Sequence, residues 1–172
     1  YIASLSEGKE RGVAIGYDNR HMSYKFAIES AKVLATYGIK SYIFESLRPT
    51  PELSFAVRHL DCIAGINVTA SHNPPQYNGY KVYWEDGAQI TPPHDVNITD
   101  AVLAITDYAD AKTMDKDEAV KAGLYVQIGK DVDDKYIAAL KKQVKHQDAI
   151  DAVQKDIKIV YTPLHGTGNI PV

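Results

Sequence analysis

Apolar residues in the first half of the chain form short continuous runs, a pattern typical of strands buried on both faces. Three runs predict strands at residues 12–17, 41–44 and 62–68, and a fourth extended segment covers 79–84. The loop between the third and fourth segments is too short for a helical crossover. The fourth strand is therefore expected to run antiparallel at the edge of the sheet.

Between these runs, apolar residues recur at helical spacing. Ser23 is the expected N-cap of a helix from about Tyr24 to Tyr37, and Gly38 marks its end. Thr50-Pro51-Glu52 predicts the start of a second helix, with a hydroxyl cap, a proline and an acid in the first turn. The alternation of strands and helices predicts an α/β fold: a three-layer α/β/α sandwich with a mostly parallel sheet and one antiparallel edge strand.

The second half of the chain has a weaker pattern. Residues 94–108 and 131–146 have the spacing of surface amphipathic helices, with Asp131 as the expected cap of the second. Short strands are expected at residues 124–128 and 157–161. The charged residues on these helices are interpreted as a solvated face rather than a binding site.

Composition excludes several classes of function. Hydrophobic residues make up 45% of the 172 positions and charged residues 24%, as in ordinary globular proteins. A net charge of −3 gives no basis for binding nucleic acid or an anionic membrane, and no apolar run is long enough to span one. The single cysteine, Cys62, is expected to be a buried thiol, and a cytoplasmic location is predicted.

The most informative segment follows the third strand. Thr69-Ala70-Ser71-His72-Asn73-Pro74 ends the apolar run, and Asn78-Gly79 and Lys81 follow. Because proline disfavours helical geometry in the residue before it, Ser71 is expected on a loop at the carboxyl end of a strand, where α/β proteins commonly bind ligands. Taken alone, Ser71 is interpreted as a turn residue whose hydroxyl bonds the backbone, and only the full motif favours a chemical role.

This segment resembles the phosphoserine loop of the α-D-phosphohexomutases, the phosphoglucomutase/phosphomannomutase family. The six residues from Thr69 to Pro74 match its signature, as do the Asn-Gly pair and the spaced lysine. The resemblance extends upstream through residues 16–20 and downstream through 161–168, and is weakest between about 91 and 156.

The resemblance also implies a domain organisation. Residues 1–155 would form the family's α/β/α domain I, truncated at its N-terminus and with a helical extension at about 92–150. Residues 156–172 would form the first strand of domain II and a tight turn at Gly166-Thr167-Gly168, which lacks the spacing and lysine of a P-loop. The chain is expected to be part of a longer protein, called the parent protein below.

Four residues are implied to be catalytic. Ser71 would carry the transferred phosphoryl group. Lys81 would act as the general acid/base, although it could also be a phosphate counter-charge or an edge-strand lysine that prevents aggregation. His72 would position or protonate the reacting group, or else bond only to the loop backbone. Adjacent residues on an extended strand point to opposite faces, which argues against a direct pair between Ser71 and His72. Arg20 would contact the phosphoserine region, pair with Asp18, or do both.

The resemblance assigns Thr69, Asn73 and Asn78 to phosphate or substrate binding, and implies Mg²⁺ bound through the phosphate of Ser71, with the remaining ligands outside this chain. A sugar 1,6-bisphosphate would be the intermediate and activator. The implied activity of the parent protein is interconversion of a sugar 1-phosphate and 6-phosphate, with glucose favoured, and its partners would be the phosphosugar and the remaining domains. The 172-residue chain alone is expected to be inactive.

Two other functions belong to different classes. A degenerate paralogue or non-catalytic interaction module would have the same fold without turnover. A serine hydrolase is disfavoured because the sequence contains no Gly-x-Ser-x-Gly elbow.

Overall fold

The computed structural model describes residues 1–172 and contains one five-stranded sheet in the order β4-β3-β1-β2-β5. The strands are β1 Val13–Tyr17, β2 Ser41–Phe44, β3 Ala64–Val68, β4 Tyr80–Trp84 and β5 Tyr125–Ile128. Four strands are parallel, and β4 pairs antiparallel with β3 at one edge. The predicted α/β fold with a single antiparallel edge strand is confirmed. The expected strand at residues 124–128 forms the opposite edge.

Seven α-helices connect and cover the strands. They are α1 Gly8–Arg11, α2 Ser23–Thr36, α3 Thr50–His59, α4 His94–Leu103, α5 Lys116–Lys121, α6 Lys130–Lys141 and α7 Gln147–Val153. None of them combines the length and the apolar character that crossing a bilayer requires.

The sheet has a hydrophobic core on each face. On one face, Ala27, Ala31 and Ala35 of α2 are fully buried against β1 and β3, because small side chains let the helix approach the sheet closely. On the other face, α3 and α6 pack through Leu53, Val57 and Val132, next to Cys62. Cys62 is the expected buried thiol, and burial raises its pKa to about 12.

The helix starts differ from the expected caps. Ser23 is the first residue of α2 rather than its cap, and its hydroxyl donates to Asp18 Oδ1 at 2.7 Å. Thr50 is the first residue of α3, and its Oγ1 accepts from Asn67 Nδ2 at 2.7 Å. Gly129, not Asp131, precedes α6. At Ser23 and Thr50 the hydroxyl group forms a hydrogen bond with another side chain at the carboxyl edge of the sheet. It therefore does not cap its own helix.

The second half of the chain also differs from prediction. Helix α4 ends at Leu103 instead of near residue 108, and α6 ends at Lys141 instead of near 146. The strand expected at residues 157–161 is wrong for this structure, in which the segment has no regular structure and Val160 is 100% exposed. An apolar run becomes a strand only when a neighbouring strand supplies hydrogen bonds, and none is adjacent here. The domain division near residue 155 stays a prediction.

Close packing of α3 on the sheet leads to a stability prediction at Gly65 on β3. A Cβ atom added there would lie 2.6 Å from Val57 Cγ2 and 3.3 Å from Tyr83 Cβ. We expect Gly65→Ala to lower the free energy of unfolding by about 1–3 kcal/mol through overpacking. Chemical denaturation of this chain measures the effect.

Val57→Ala is the matched control because it removes the clashing methyl group. If overpacking is the cause, the double variant will lose less stability than the two single losses added together. Strict additivity would contradict the packing explanation.

Candidate active site

Three loops meet at the carboxyl edge of the sheet, after β1, β2 and β3. Helix α2 leads from β1 to its neighbour β2, whereas α3 crosses back to β3 on the other side of β1. Open α/β sheets bind ligands at such a reversal of strand order. A cleft of about 610 Å³ lies there and has no hydrophobic residue in its lining. The lining residues are Asp18, Asn19, Arg20, His21, Arg48, Thr50, Asn67, Thr69, Ser71, His72, Asn73, Pro75, His165, Gly166 and Thr167.

Ser71 lies at the exposed tip of the loop after β3 and borders the cleft. Its backbone is left-handed, with φ of 54°, a conformation that non-glycine residues adopt rarely and at a cost. Two hydrogen bonds hold this turn: the Ser71 amide donates to Thr69 Oγ1 at 3.0 Å, and the Asn73 amide donates to the Ala70 carbonyl at 3.1 Å. Thr69 therefore orients Ser71 from a buried position below it.

His72 lies on the same side of the loop as Ser71. Its Nδ1 is 3.4 Å from Ser71 Oγ. The expectation that these neighbours point apart is wrong, because the left-handed turn at Ser71 replaces the extended geometry on which it depends. At 3.4 Å the interaction is long for a hydrogen bond to a hydroxyl, yet close enough for the imidazole to reach a group attached to Ser71.

The side chain of Arg20 binds the backbone of the Ser71 loop. Its Nη1 donates to the carbonyls of Pro74 and Tyr77, both at 3.0 Å, and its Nη2 donates to those of Ser71 at 2.6 Å and Asn73 at 2.5 Å. Arg20 Nε lies 3.6 Å from Asp18 Oδ2. Both interpretations of Arg20 thus hold: it pairs with Asp18 and also contacts the Ser71 loop, through backbone oxygens.

Asn78 anchors the other end of the same loop and does not line the cleft. Its Nδ2 donates to the His21 carbonyl at 3.0 Å and to Ser23 Oγ at 2.9 Å, while its Oδ1 accepts from the Gly79 amide. The Asn78 side chain thereby ties the loop to the first residue of α2.

Lys81 lies on β4, directly opposite Asn67 of β3 in the antiparallel register. It is half-buried, it forms neither an ion pair nor a side-chain hydrogen bond, and it lies outside the cleft lining. The structure thus brings together Ser71, His72, Arg20, Thr69 and Asn73, and leaves Lys81 and Asn78 beside the cleft. The roles of all seven residues stay predictions.

The floor of the cleft contains residues that the sequence analysis did not select. Asn67 is 2% exposed and donates from Nδ2 to Thr50 Oγ1, and both residues line the cleft. Gly16 on β1 makes room for Asn67, because a Cβ atom at Gly16 would lie 3.3 Å from Asn67 Oδ1. The available signal was an amide within an apolar strand, since a polar residue at a buried position needs a partner.

The segment at residues 165–167 closes one side of the cleft. It belongs to a turn in which the Gly166 amide donates to the Pro163 carbonyl at 2.6 Å. Asn19 Nδ2 of the loop after β1 donates to the His165 carbonyl at 3.3 Å. A tight turn was expected here, but not its position beside Ser71.

The residues of the cleft do not by themselves form a metal site. No group of three or more His, Cys, Asp or Glu side chains in the structure converges on a point that could hold an ion. Asp18 is the only acidic residue in the lining, and its Oδ1 accepts from the Arg20 amide and from Ser23 Oγ. A magnesium ion would need the oxygens of a phosphate on Ser71 and further ligands from elsewhere.

Comparison with known proteins agrees with this architecture. The family model for phosphoglucomutase/phosphomannomutase, alpha/beta/alpha domain I, matches residues 1–109. A phosphoglucomutase from Staphylococcus epidermidis is 40% identical over 167 residues, which cover 93% of this chain and 28% of that protein. A probable phosphoribomutase from Schizosaccharomyces pombe is 39% identical over 174 residues, covering 97% of this chain and 28% of that protein.

A solved structure gives the same result. The crystal structure of a putative phosphomannomutase from Thermus thermophilus superimposes with a TM-score of 0.64 at 32% identity, covering 85% of this chain and 31% of that one. The chain therefore spans less than a third of the length of these three relatives. With both its sequence and its sheet matching domain I, the chain belongs to the phosphoglucomutase/phosphomannomutase family.

Proposed function

We propose that this chain is the phosphoserine-bearing domain of a phosphosugar mutase and that Ser71 carries the phosphoryl group. The observation that carries the proposal is the placement of Ser71: an exposed hydroxyl on a turn fixed by Thr69 and Arg20, facing a polar cleft of about 610 Å³. A rigid loop tip suits phosphoryl transfer, in which catalysis depends mainly on positioning and charge stabilisation.

In the proposed reaction, a hydroxyl of a sugar phosphate attacks the phosphorus of phospho-Ser71. The bond between phosphorus and Ser71 Oγ breaks and a bond to the sugar oxygen forms. The hydroxyl proton of the sugar passes to a general base, and Ser71 Oγ takes up a proton and becomes a free hydroxyl. The resulting sugar bisphosphate turns over in the cleft, and its other phosphoryl group returns to Ser71. The net change moves phosphate between two positions of the sugar and regenerates the phosphoenzyme.

Arginines outnumber acidic residues in the cleft lining, and this balance of charge favours an anionic ligand such as a phosphate. The lining contains two arginines and three histidines against one acidic residue. Arg20 holds its charge beside the Ser71 carbonyl, so it stabilises the loop and adds positive potential near the phosphoryl group. His72 and Lys81 are the candidates for the proton transfer. The contact at 3.4 Å favours His72 for a proton at Ser71 Oγ, and Lys81 remains the proposed base for the sugar hydroxyl.

Glucose phosphate is the proposed substrate, and its phosphoryl group would move between C1 and C6. The names of the three relatives point to glucose, ribose and mannose phosphates. This chain supplies one wall of the site, and sugar recognition is assigned to the rest of the parent protein. The 172-residue chain is accordingly proposed to be inactive alone. Magnesium is a proposed ligand of the Ser71 phosphate, where it would offset the negative charge of the phosphate oxygens.

The alternative is a folded module without catalysis, and phosphorylation of Ser71 separates the two. We expect the parent protein, incubated with glucose 1,6-bisphosphate and magnesium, to acquire one phosphoryl group on Ser71, which added glucose 1-phosphate then removes. Peptide mapping by mass spectrometry locates the group. The 172-residue chain serves as the control and should show no turnover of glucose 1-phosphate.

Two results would count against the proposal. An unmodified Ser71 in a folded parent protein, tested also with mannose and ribose bisphosphates, would favour the non-catalytic module. Turnover by the 172-residue chain would contradict the assignment of sugar recognition to the rest of the parent protein.

A further inference from the structure

A buried cluster of ionisable side chains lies beneath the cleft, between α3 and α6. Arg48 is 2% exposed, Glu52 is 0% exposed and Asp133 is 9% exposed. Arg48 precedes α3, Glu52 lies in the first turn of α3, and Asp133 lies in the first turn of α6. Buried charged residues are rare unless they are paired, so each member of this cluster needs a partner.

Arg48 and Asp133 satisfy each other. Arg48 Nε donates to Asp133 Oδ1 and Nη2 donates to Oδ2, both at 2.8 Å, in the bidentate geometry of strong ion pairs. Arg48 Nη1 donates to the Leu47 carbonyl at 3.1 Å and to Ser46 Oγ. Its guanidinium donors are thus already directed at Asp133 and at the loop before α3.

Glu52 has no such partner. Both of its carboxylate oxygens are buried, and neither has a hydrogen-bond donor. The carboxyl group that acts on the pKa of Glu52 is that of Asp133 on the facing helix α6, which is also an acceptor when ionised. Two carboxyl groups can form a hydrogen bond only if one of them carries a proton.

We propose that Glu52 is protonated in the folded protein and donates its proton to Asp133. The resulting chain, from Glu52 through Asp133 to Arg48, positions the segment Arg48–Thr50 at the floor of the cleft. Arg48 and Thr50 both line the cleft, and the Arg48 amide donates to the Tyr17 carbonyl at the end of β1. The cluster therefore connects α6 to the loop that carries these floor residues.

The surroundings determine which carboxyl group holds the proton. Burial, together with the hydrogen bond and charge of Asp133, raises the pKa of Glu52 to about 8, and Arg48 opposes this. Burial acts in the same direction on Asp133, but its hydrogen bonds with Arg48 and Glu52 outweigh it and hold the pKa of Asp133 below its usual range. Three other titratable groups surround Glu52, Asp133 and Arg48. Glu45 lies near Arg48, and Tyr136 and Lys130 belong to α6.

The proton also determines the charge beneath the cleft. With Glu52 neutral, the charges of Arg48 and Asp133 cancel. With Glu52 ionised, an uncompensated negative charge would lie in the first turn of α3, whose N-terminus faces the cleft. This consequence rests on the proposed function, because it matters only if the cleft holds a phosphate. The two experiments use no phosphate, so their outcomes do not depend on whether the proposed function is correct.

The first test is the pH dependence of the melting temperature of this chain. Because the folded-state pKa of Glu52 is raised, its stabilisation is fully present below the unfolded pKa of about 4.5 and is lost as pH rises through about 8. Glu52→Gln keeps the volume, can donate to Asp133 and does not titrate. We expect the wild-type melting temperature to fall on the order of 5 °C more than that of Glu52→Gln between about pH 5 and pH 9.

Glu45→Gln is the matched control, because Glu45 lies on the same loop with its side chain 52% exposed. It should keep the wild-type pH profile. A Glu52→Gln profile parallel to that of the wild type would overturn the proposal.

The second test observes the proton directly, by carboxyl ¹³C NMR of the wild-type chain labelled at glutamate. The Glu52 resonance is expected to report a protonated carboxyl at about pH 6 and to titrate near pH 8, and the amides of Arg48 and Thr50 should shift with the same midpoint. A Glu52 resonance already ionised at pH 6 would refute the shared proton, and floor amides that do not follow Glu52 would refute the positioning role. This measurement decides the question even if Glu52→Gln fails to fold.

Discussion

Replacing Ser71 with alanine in the parent protein is expected to lower mutase turnover by more than about 10³-fold, because Ser71 is the proposed nucleophile and its loss would eliminate the covalent step. The fold should survive, since Ser71 is exposed and the hydrogen bonds of its Oγ are limited to the long one with His72 Nδ1. Steady-state assays with glucose 1-phosphate measure the loss, and mass spectrometry should find no phosphoryl group on the loop.

Two further variants separate chemistry from backbone effects at this position. Ser71→Gly should be equally inactive yet at least as stable as alanine, because glycine accepts the left-handed φ of 54° without strain. Ser6→Ala is the matched control: Ser6 is an exposed serine that precedes β1 and so lies away from the carboxyl edge, and this variant should retain full activity. Wild-type turnover by either Ser71 variant would exclude Ser71 as the phosphoryl carrier.

Removing the Arg20 guanidinium is expected to have the second-largest effect. Arg20→Ala leaves four loop carbonyls without their guanidinium donor and removes the ion pair with Asp18. We expect a loss of turnover of about 10²-fold, since small displacements of reacting groups cost that much, and a loss of about 1–3 kcal/mol in the free energy of unfolding. Activity assays and denaturation measure the two effects.

Hydrogen exchange distinguishes a positioning role from direct contact with phosphate. Without Arg20, the amides of residues 71–78 should exchange faster in the 172-residue chain, with no ligand present. Arg20→Lys should recover little, because an ammonium group cannot span four acceptors as the planar guanidinium does. Arg58→Lys, at an exposed position near the end of α3, is the matched control. Unchanged exchange in Arg20→Ala would mean that the loop does not depend on Arg20.

The parts of the fold that were predictable from sequence have local causes. Continuous apolar runs predicted β1 to β3, and the short loop before Tyr80 predicted the antiparallel direction of β4. The Thr69–Pro74 segment predicted both the loop and the placement of Ser71 at a strand end. In each case, neighbours in the sequence determine the structure.

The remaining features depend on hydrogen-bond partners that the local sequence pattern does not identify. Ser23 and Thr50 look like helix caps, yet their hydroxyl groups bond to Asp18 and Asn67, and the latter partner is 17 positions away. The pairing of Arg48 with Asp133 spans 85 positions. Residues 157–161 have the apolar pattern of a strand, but a strand also needs a neighbour, which no local pattern supplies.

The hydrogen bonds from Arg20 to the Ser71 loop affect which residues of this site can change during evolution. All four loop oxygens that it holds belong to the main chain. The side chain of Gln76 takes no part, so this position can change identity without breaking the hydrogen bonds that hold the loop. A lineage could therefore alter the surface beside Ser71 while Ser71 itself, the proposed nucleophile, stays in place.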